Sequence, residues 1–397
     1  MNRDDFHLLK NNIIYFDNGA TTLKPYVLKE SLIDYYDNYS ANAHRGDYDM
    51  SLKVDMMYEA SRENVRRFIN AKKNEEIIFT SGTTDSLNKI IFGYFKHYLK
   101  KNDEVLITLS EHASNILPWF ELQDEINIKV NYIELDNLHV TLEKVKEAIT
   151  ENTKVISLAH ITNVIGDLRP IKQITEYAHK RGILVVVDGA QSVAHTKVDV
   201  TDLDVDFYAF SAHKLYGPTG VGVIYGKEEL LYQMKPIIFG GGMNTSFLKD
   251  GTRIYHELPS MLEAGTPNIA DVIAFGKVIE YIEKISIEKI KKHEDELKKY
   301  CLGRLKEIKE VEIYNENSES SIITINMKNV FAQDLAIYLN KYNICVRAGN
   351  HCAKILKDEI GVKNTVRISF GLYNTKEEID TLIEAIKNPK LKEEIII

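Results

Sequence analysis

The amino-acid sequence predicts an α/β protein with a large domain built on a mostly parallel β-sheet, followed by a smaller α+β domain. Short apolar runs bounded by turn residues alternate with stretches of helical periodicity, which is typical of successive βα units. Runs such as Leu184 to Val187 are apolar throughout, as in strands covered on both faces. With 397 residues, the chain is long enough for two domains.

The strands of the large domain are predicted from its apolar runs. They are expected at Glu76 to Thr80, Glu104 to Leu109, Lys154 to Ala159, Ile183 to Val187 and Asp206 to Ser211. The first strand is followed by a predicted helix from Asp85 to Tyr98, and a second helical face carries Ile171, Ile174 and Ala178. Strands that alternate with helices in this way favour a parallel sheet.

The character of the sequence changes after about Pro267. A long charged helix is predicted from Ser286 to Ile308, and a closing helix near Lys376 to Ile386. Strands are predicted between them, at Ser321 to Met327 and Asn343 to Val346. We therefore expect a large domain over residues 15–270 and a small domain over residues 271–397, joined by residues 1–14.

Composition excludes several classes of protein. The net charge of −8 and interleaved Lys and Glu residues indicate no nucleic-acid surface. No apolar run is long enough to span a membrane, and the N-terminus does not resemble a signal peptide. Three cysteines without a C-x-x-C pair predict neither disulfides nor a zinc site, so no metal is expected. We expect a cytoplasmic protein.

Small hydroxyl residues follow the first predicted strand. The segment from Ser81 to Asp85 joins that strand to a helix, and a helix start offers free backbone N–H groups to a phosphate. Gly82 permits close backbone approach, while Thr83 and Thr84 supply hydroxyl donors. The same residues also suit plain helix capping, so the segment alone leaves both interpretations open.

An acid and a lysine follow two further strands. Asp188 comes at the end of a buried run, where open α/β sheets hold ligands, and Gln191 follows three residues later. Asp188 could pair with a protonated ring nitrogen or could simply cap a helix. Lys214 ends another run after Ser211 and His213, and a partly desolvated lysine is suited to Schiff-base chemistry. A possible phosphate-binding segment, an acid and a lysine therefore follow one another along the chain, and this order points to one ligand site.

These motifs resemble the class V aminotransferase superfamily, and within it the SufS type of cysteine desulfurase. The resemblance covers nearly the whole chain, and its most specific part is the loop from Val346 to Ala353. Further matching segments are Tyr15 to Ala20, His44 to Gly46, Ser110 to His112, Thr162 to Gly166, Glu263 to Asn268 and Tyr373 to Thr375. The resemblance implies the type I fold of enzymes that use pyridoxal 5′-phosphate (PLP), with a seven-stranded sheet.

The resemblance also implies a role for each site residue. Lys214 would bind PLP covalently, Asp188 would pair with its ring nitrogen, Gln191 would bond its ring oxygen and His112 would stack on its ring. The phosphate would be held by Thr83, Thr84, Ser211 and His213, with Thr266 reaching in from the second subunit of a homodimer. The implied substrate-binding residues are His44, Asn163, Arg347 and Arg367.

Cys352 is the predicted nucleophile. It follows a Gly-Asn turn after a strand, so we expect an exposed loop, and we expect His351 and Arg347 to favour its thiolate. By resemblance, its thiolate removes sulfur from L-cysteine as a persulfide and L-alanine is released. Asn350 stands where the family more commonly has a histidine. Cys301 and Cys345 are expected to be ordinary structural residues.

The resemblance implies a SufE-like or SufU-like acceptor protein that takes the sulfur to iron–sulfur cluster assembly. Other PLP reactions remain alternatives: selenocysteine lyase, aminotransferase or kynureninase-like cleavage. A PLP-binding scaffold for cluster assembly is an alternative of another class. A nucleophilic cysteine at position 352 argues against aminotransfer, and an intact set of Lys214, His112, Asp188 and Cys352 argues against a scaffold.

Overall fold

The fold is taken from a computed structural model that describes residues 2–43 and 46–388. The described residues form fifteen β-strands, arranged in two large sheets and two strand pairs. In chain order the strands are β1 (Ile14–Tyr15), β2 (Ile77–Thr80), β3 (Glu104–Thr108), β4 (Lys129–Ile133), β5 (Thr153–Ala159), β6 (Leu184–Asp188), β7 (Phe207–Ser211), β8 (Gly222–Gly226), β9 (Asn244–Phe247), β10 (Arg253–Tyr255), β11 (Val311–Ile313), β12 (Ile322–Met327), β13 (Ile344–Cys345), β14 (Arg347–Gly349) and β15 (Thr365–Ser369).

The α-helices of the same residues surround these sheets. They are α1 (Tyr26–Asn38), α2 (Asp49–Phe68), α3 (Thr83–Ile90), α4 (Lys96–Tyr98), α5 (Leu117–Ile126), α6 (Leu142–Ala148), α7 (Ile171–His179), α8 (Val200–Leu203), α9 (Glu228–Leu231), α10 (Ile269–Ile285), α11 (Ile287–Leu305), α12 (Ala332–Asn340), α13 (Lys354–Glu359) and α14 (Lys376–Lys387).

The large sheet confirms the predicted fold class. Its seven strands lie in the order β2-β8-β7-β6-β5-β3-β4, and all neighbours are parallel except those of β8. Strand β8 runs antiparallel to both β2 and β7. The carboxyl ends of β3, β5, β6 and β7 therefore meet at one edge of the sheet, where ligands of α/β proteins bind.

Each of the five strands predicted for the large domain is present within two residues of its expected bounds. The helix expected from Asp85 to Tyr98 is instead divided. It begins at Thr83 after Gly82, passes through a π-helical turn at Ile91–Phe95 and ends as α4. The earlier start follows from Gly82, whose φ of 156° breaks the strand before the helix.

Two hydrophobic layers cover the large sheet. One face packs against α1, α2 and α10, with Tyr58, Val187 and Phe275 among its fully buried residues. The other face packs against α3 and α5, around Trp119 and Phe207. Burial on both faces explains why the parallel strands read as continuous apolar runs.

The second sheet is antiparallel, in the order β11-β12-β15-β14. Its own core lies between this sheet and the helices α11, α12 and α14, and Cys301 is buried there. The strand β1 pairs in parallel with β13, which ties the N-terminal segment to this part of the chain. Helix α10 contains residue 270 and packs on the large-domain layer, and the domain division at 270 stays a prediction.

No helix among residues 2–43 and 46–388 is both long enough and apolar enough to cross a membrane.

Candidate active site

One cavity of about 360 Å³ lies between the two sheets. It brings together residues that are far apart in the sequence, from the strand ends of the large sheet and from β14, β15 and the loop between them. Twelve of the fourteen predicted site residues line it: Thr83, Thr84, His112, Asn163, Asp188, Gln191, Ser211, His213, Lys214, Arg347, Cys352 and Arg367.

The remaining two predicted residues are placed differently. His44 lies outside the described residues. Thr266 is exposed and is absent from the lining of the cavity in its own chain. An exposed position outside the cavity of its own chain is compatible with Thr266 reaching the cavity of a second copy. Its phosphate-binding role in a homodimer stays a prediction.

The start of α3 forms one wall of the cavity. The backbone of Gly82, just before the helix, packs closely on β8 because Gly222 has no side chain: a Cβ on Gly222 would lie 2.4 Å from the Cα of Gly82. Thr83 is held by Ser211, whose Oγ accepts from the Thr83 backbone N–H at 2.7 Å. The first turn of α3 thus presents backbone N–H groups and two threonine hydroxyls to the cavity.

Asp188 is a buried carboxylate at the end of β6. Its Oδ1 accepts from the backbone N–H of Ala190 at 2.9 Å. Burial raises the pKa of Asp188 to about 6, although the Ala190 N–H and the charge of Lys214 act in the opposite direction. A carboxylate held in this way is stabilised by any cation that enters the cavity.

Lys214 lies in the turn that follows β7. Among the described residues, none accepts a hydrogen bond from its amine within the cavity. Burial lowers the pKa of Lys214 to about 8, with Asp188 opposing the shift and Arg367 adding to it. A substantial fraction of the amine is therefore neutral and nucleophilic near pH 8.

Two histidines stay neutral beside Lys214. Burial, followed by the charge of Lys214, lowers the pKa of His112 and of His213 to about 4 each. The Nδ1 of His112 accepts from the backbone N–H of Ser114 at 3.1 Å. Because that N–H can only donate, the proton of neutral His112 sits on Nε2, which is left as a hydrogen-bond donor.

Arg367 and Asn163 form the part of the cavity nearest the second sheet. Arg367 is buried on β15, and its Nη1 donates to the backbone oxygen of Asn163 at 2.9 Å. Two buried polar atoms here have no partner among the described residues: the Nε of Arg367 and the Oδ1 of Asn163. A buried guanidinium with a free Nε–H is prepared to bind an anion such as a carboxylate.

Cys352 is exposed on the loop between β14 and α13, as predicted. His351 and Cys352 both have left-handed backbones, with φ of 54° and 56°. Three hydrogen bonds hold them: Asn163 Nδ2 to the oxygen of His351 at 2.7 Å, Ala113 N to the oxygen of Cys352 at 2.8 Å, and Cys352 N to Asn350 Oδ1 at 3.0 Å.

The expectation that His351 promotes the thiolate by its charge is wrong. Burial, aided by the charges of Arg367 and Lys357, lowers the pKa of His351 to about 2, so its ring is neutral. Its Nε2 instead contacts the backbone oxygen and the hydroxyl of Thr365, at 3.1 and 3.0 Å. Arg347 remains a cation: its hydrogen bond to Asp17 is the main cause that raises its pKa, and the charge of Cys352 adds a smaller contribution in the same direction.

Sequence reasoning missed some contributors to the site. Ser114 lines the cavity and contacts the hydroxyl of Thr84 at 2.7 Å. Gly19 passes so close to Arg367 that a Cβ there would lie 3.0 Å from the guanidinium carbon. Asp17 binds both Arg347 and Arg367. Asp17 lies within the matching segment from Tyr15 to Ala20, and that segment was the signal that could have identified it.

Comparison with known proteins settles the family. The sequence pattern described as aminotransferase class-V matches residues 14–382.

The chain belongs to the class V aminotransferase family.

Its relatives in this family include curated and solved proteins. A protein described as a probable cysteine desulfurase from Halalkalibacterium halodurans is 42% identical over 380 residues, covering 95% of this chain and 93% of the relative. The solved cysteine desulfurase CsdA of Escherichia coli is 34% identical with a TM-score of 0.93, covering 99% of this chain and 98% of the other. The solved cysteine desulfurase of Thermococcus onnurineus is 36% identical with the same TM-score, covering 97% and 96%.

For a class V aminotransferase, this cavity suits an anionic cofactor with a cationic ring. The α3 start offers donors for a phosphate, buried Asp188 can balance a positive ring nitrogen, and Lys214 supplies an amine for covalent attachment. Groups of three or more side chains that could hold a metal ion do not occur among the described residues.

Proposed function

We propose that the chain is a cysteine desulfurase: it uses PLP, converts L-cysteine to L-alanine and carries the sulfur as a persulfide on Cys352. The observation that carries this proposal is the meeting, in one cavity, of Lys214 and Asp188 with an exposed cysteine from the second sheet. The relatives described as cysteine desulfurases support it.

The residues for PLP are those that the cavity offers. Lys214 would bind it covalently, Asp188 would balance its ring nitrogen and His112 would lie against its ring. Its phosphate would be held by Thr83, Thr84, Ser211 and His213, with Thr266 of a second copy completing a homodimeric site, and Gln191 would bond its ring oxygen. When bound, PLP supplies an electron sink at the α-carbon of the amino acid.

Substrate binding depends on the unpaired buried donors. The carboxylate of L-cysteine binds the free Nε–H of Arg367 and the adjacent Nη2 as a fork, beside Asn163. His44 lies at the entrance to the site. A carboxylate in this position gives the buried Nε–H of Arg367 a hydrogen-bond partner. The new bond both favours binding and orients the substrate.

Proton transfer is assigned to Lys214. With a pKa of about 8, its free amine accepts the α-proton of the substrate and later returns a proton. Neutral His112 carries its proton on Nε2 and can donate it to the substrate as sulfur leaves. Its low pKa keeps a permanent charge away from the cationic neighbours Lys214 and Arg367.

Sulfur transfer is assigned to Cys352. Its Sγ forms a bond to the substrate sulfur while the carbon–sulfur bond of the substrate breaks, and the electron pair and a proton go to the carbon. The balance is one L-cysteine and one enzyme thiol giving one L-alanine and one enzyme persulfide. Arg347 stabilises the anionic sulfur, since the two charges interact.

The loaded cysteine must then pass its sulfur to an acceptor. The exposed position of Cys352 suits transfer to a SufE-like or SufU-like protein that serves iron–sulfur cluster assembly. Such a partner and the absence of a predicted membrane segment in the sequence fit a cytoplasmic setting.

The test is intact-mass analysis of the PLP-loaded protein after incubation with L-cysteine, with alanine measured in parallel. Wild type should gain the mass of one sulfur and form alanine, and Cys352→Ala should gain none. The matched control is Cys345→Ala, which removes a thiol from β13 outside the cavity lining and should behave as wild type.

Other outcomes would redirect the assignment. Alanine formed at the wild-type rate by Cys352→Ala would indicate a lyase that releases sulfur directly, as a selenocysteine lyase could. Neither alanine nor added sulfur in wild type would contradict the desulfurase and favour an aminotransferase or a scaffold.

A further inference from the structure

The turn formed by residues 163–165, between β5 and α7, is bound through its backbone to the second-sheet part of the chain. Three consecutive carbonyl groups of this turn each accept from a buried side chain. Arg367 Nη1 donates to the oxygen of Asn163 at 2.9 Å, Thr324 Oγ1 to that of Val164 at 2.5 Å, and Asn315 Nδ2 to that of Ile165 at 2.8 Å. All six residues are buried. Because a buried carbonyl without a donor is costly, these three side chains fix the position of the turn.

The side chains of the same turn pack against the loop that carries Cys352. Val164 and Ile165 form a buried apolar cluster with Ala353 and Leu356. Ala353 directly follows Cys352 in the chain. The position of the turn therefore bears on the position of the Cys352 loop.

Asn163 connects the turn to two groups that the proposed reaction needs. Its backbone oxygen accepts from Arg367, whose Nε has no partner among the described residues and is the proposed carboxylate donor. Its Nδ2 donates to the backbone oxygen of His351 at 2.7 Å, one residue before Cys352. A displacement of Asn163 would therefore disturb the carboxylate donor and the thiol together.

Thr324 is the donor of the three that can be altered without touching the cavity. It lies on β12, is buried and is absent from the cavity lining. Arg367 lines the cavity itself, and Asn315 also donates to the backbone oxygen of Ile322 at 2.9 Å, so its loss would disturb its own loop. The hydroxyl of Thr324 thus isolates the contribution of the turn.

Resting on the proposed function, we propose that Thr324 is a positioning residue. Through the carbonyl of Val164 it holds Asn163 where the Arg367 fork and the Cys352 loop both meet one substrate molecule. Without the hydroxyl, the buried carbonyl has lost its donor and the turn shifts toward another. Carboxylate binding and sulfur transfer weaken together, whereas the cofactor, bound by the large-sheet wall, is retained.

The experiment compares Thr324→Val with wild type, both loaded with PLP. Valine has nearly the shape of threonine and lacks the hydroxyl. The dissociation constant of L-alanine, measured from the cofactor absorbance without turnover, should rise by about threefold to tenfold, the size of one hydrogen bond. Persulfide formation on Cys352, followed by single-turnover mass analysis, should slow by a similar factor. The dissociation constant of PLP should not change.

Further variants separate positioning from a general loss of stability. Thr324→Ser keeps the hydroxyl and should recover both values. Thr175→Val is the matched control: it removes a buried hydroxyl that donates to a backbone oxygen at 2.9 Å on α7, outside the cavity lining. It should leave both values unchanged, whatever its melting temperature. If Thr324→Val does not fold, Thr324→Ala removes the same hydroxyl and takes its place.

The inference is overturned if folded Thr324→Val binds L-alanine and forms the persulfide as wild type does, or if Thr324→Ser recovers neither value. It is also overturned if the dissociation constant of PLP rises by the same factor, or if neither variant without the hydroxyl folds, because Thr324 is then a structural residue. Failure of the proposed function has a different signature: wild type would form neither alanine nor a persulfide from L-cysteine, whatever the dissociation constants of L-alanine.

Discussion

The two walls of the cavity hold their reactive groups in different ways. On the large-sheet wall, Asp188 ends β6 and Lys214 follows β7, and the hydrogen-bond ladder between these strands fixes both positions. On the opposite wall, Cys352 sits on an exposed loop whose backbone is bonded by three groups: Asn163 Nδ2 and Ala113 N–H donate to it, and Asn350 Oδ1 accepts from it.

Because of this difference, substitutions on the two walls should have different effects. A substitution on the large-sheet wall removes a chemical group while the ladder keeps the shape of the site. A substitution on the loop leaves the cofactor wall intact and changes only how the thiol is presented. The following predictions test that separation, beginning with the largest expected effect.

Lys214→Ala should lower alanine formation by at least about a thousandfold, because it removes the covalent attachment and the base together. Borohydride reduction followed by peptide mass analysis should find the cofactor on Lys214 in wild type and on no lysine in the variant. The exposed Lys354→Ala is the control. An adduct on another lysine of the variant would contradict the assignment.

Asp188→Asn should retain the cofactor on Lys214 and lower turnover by about a hundredfold. The amide can still accept from Ala190 N–H, but it cannot balance a buried cation, and an unpaired buried charge costs several kcal/mol. The measurements are bound cofactor per chain and kcat for alanine. Turnover close to wild type would show that the charge of Asp188 is not used.

Asn350→Ala should slow persulfide formation by about fivefold to tenfold without changing cofactor binding. The substitution removes the acceptor for the Cys352 backbone N–H next to two left-handed residues, a loss of about 1 kcal/mol. Single-turnover mass analysis measures the rate. Asn350→Asp keeps the acceptor and should recover most of it, whereas equal rates in all three proteins would refute a positioning role.

Lys357→Met should stabilise the protein at pH 7. Burial lowers the pKa of Lys357 from 10.5 to about 8, so keeping it charged costs on the order of 3 kcal/mol, while its bond to the hydroxyl of Thr365 returns about 1 kcal/mol. The melting temperature should rise by about 2–4 °C. This substitution is expected to change stability rather than activity. It tests whether the buried charge of Lys357 lowers the stability of the loop wall.

The pH dependence of that gain has a definite sign. Below pH 8 both folded and unfolded chains keep Lys357 protonated, so the full penalty is present. Between pH 8 and 10.5 the folded protein loses the proton first and the unfolded chain binds more protons, so wild type becomes relatively more stable and the advantage of Lys357→Met shrinks. Exposed Lys354→Met should show no such trend, and a gain that grows with pH would refute the burial penalty.

The same difference between the walls explains how much the sequence predicted. Continuous apolar runs with a polar residue at the end identified β6, β7 and the positions of Asp188 and Lys214, because parallel strands align their carboxyl ends. The antiparallel strand β8 has no comparable polar ending, and it was not predicted individually. The hairpin of β9 and β10 was also missed, since its side chains alternate and many are exposed.

The loop wall was predictable only through family resemblance. Cys352, Arg347 and Arg367, which the resemblance named, line the cavity. The neutral state of His351 depends first on its burial and then on the charges of Arg367 and Lys357, which no local pattern encodes. Asp17 was missed for the same reason: its partners are 330 and 350 residues away in the chain.

The pairing of β1 with β13 has a consequence for how the protein is made. Every strand of the large sheet has been synthesised by residue 226, whereas the partner of β1 and the loop with Cys352 are synthesised more than a hundred residues later. During synthesis the chain can thus complete the wall that carries Lys214 and Asp188 while it still lacks the thiol. The residue proposed to carry the sulfur is therefore synthesised after the whole large sheet, close to the point at which β1 can pair with β13.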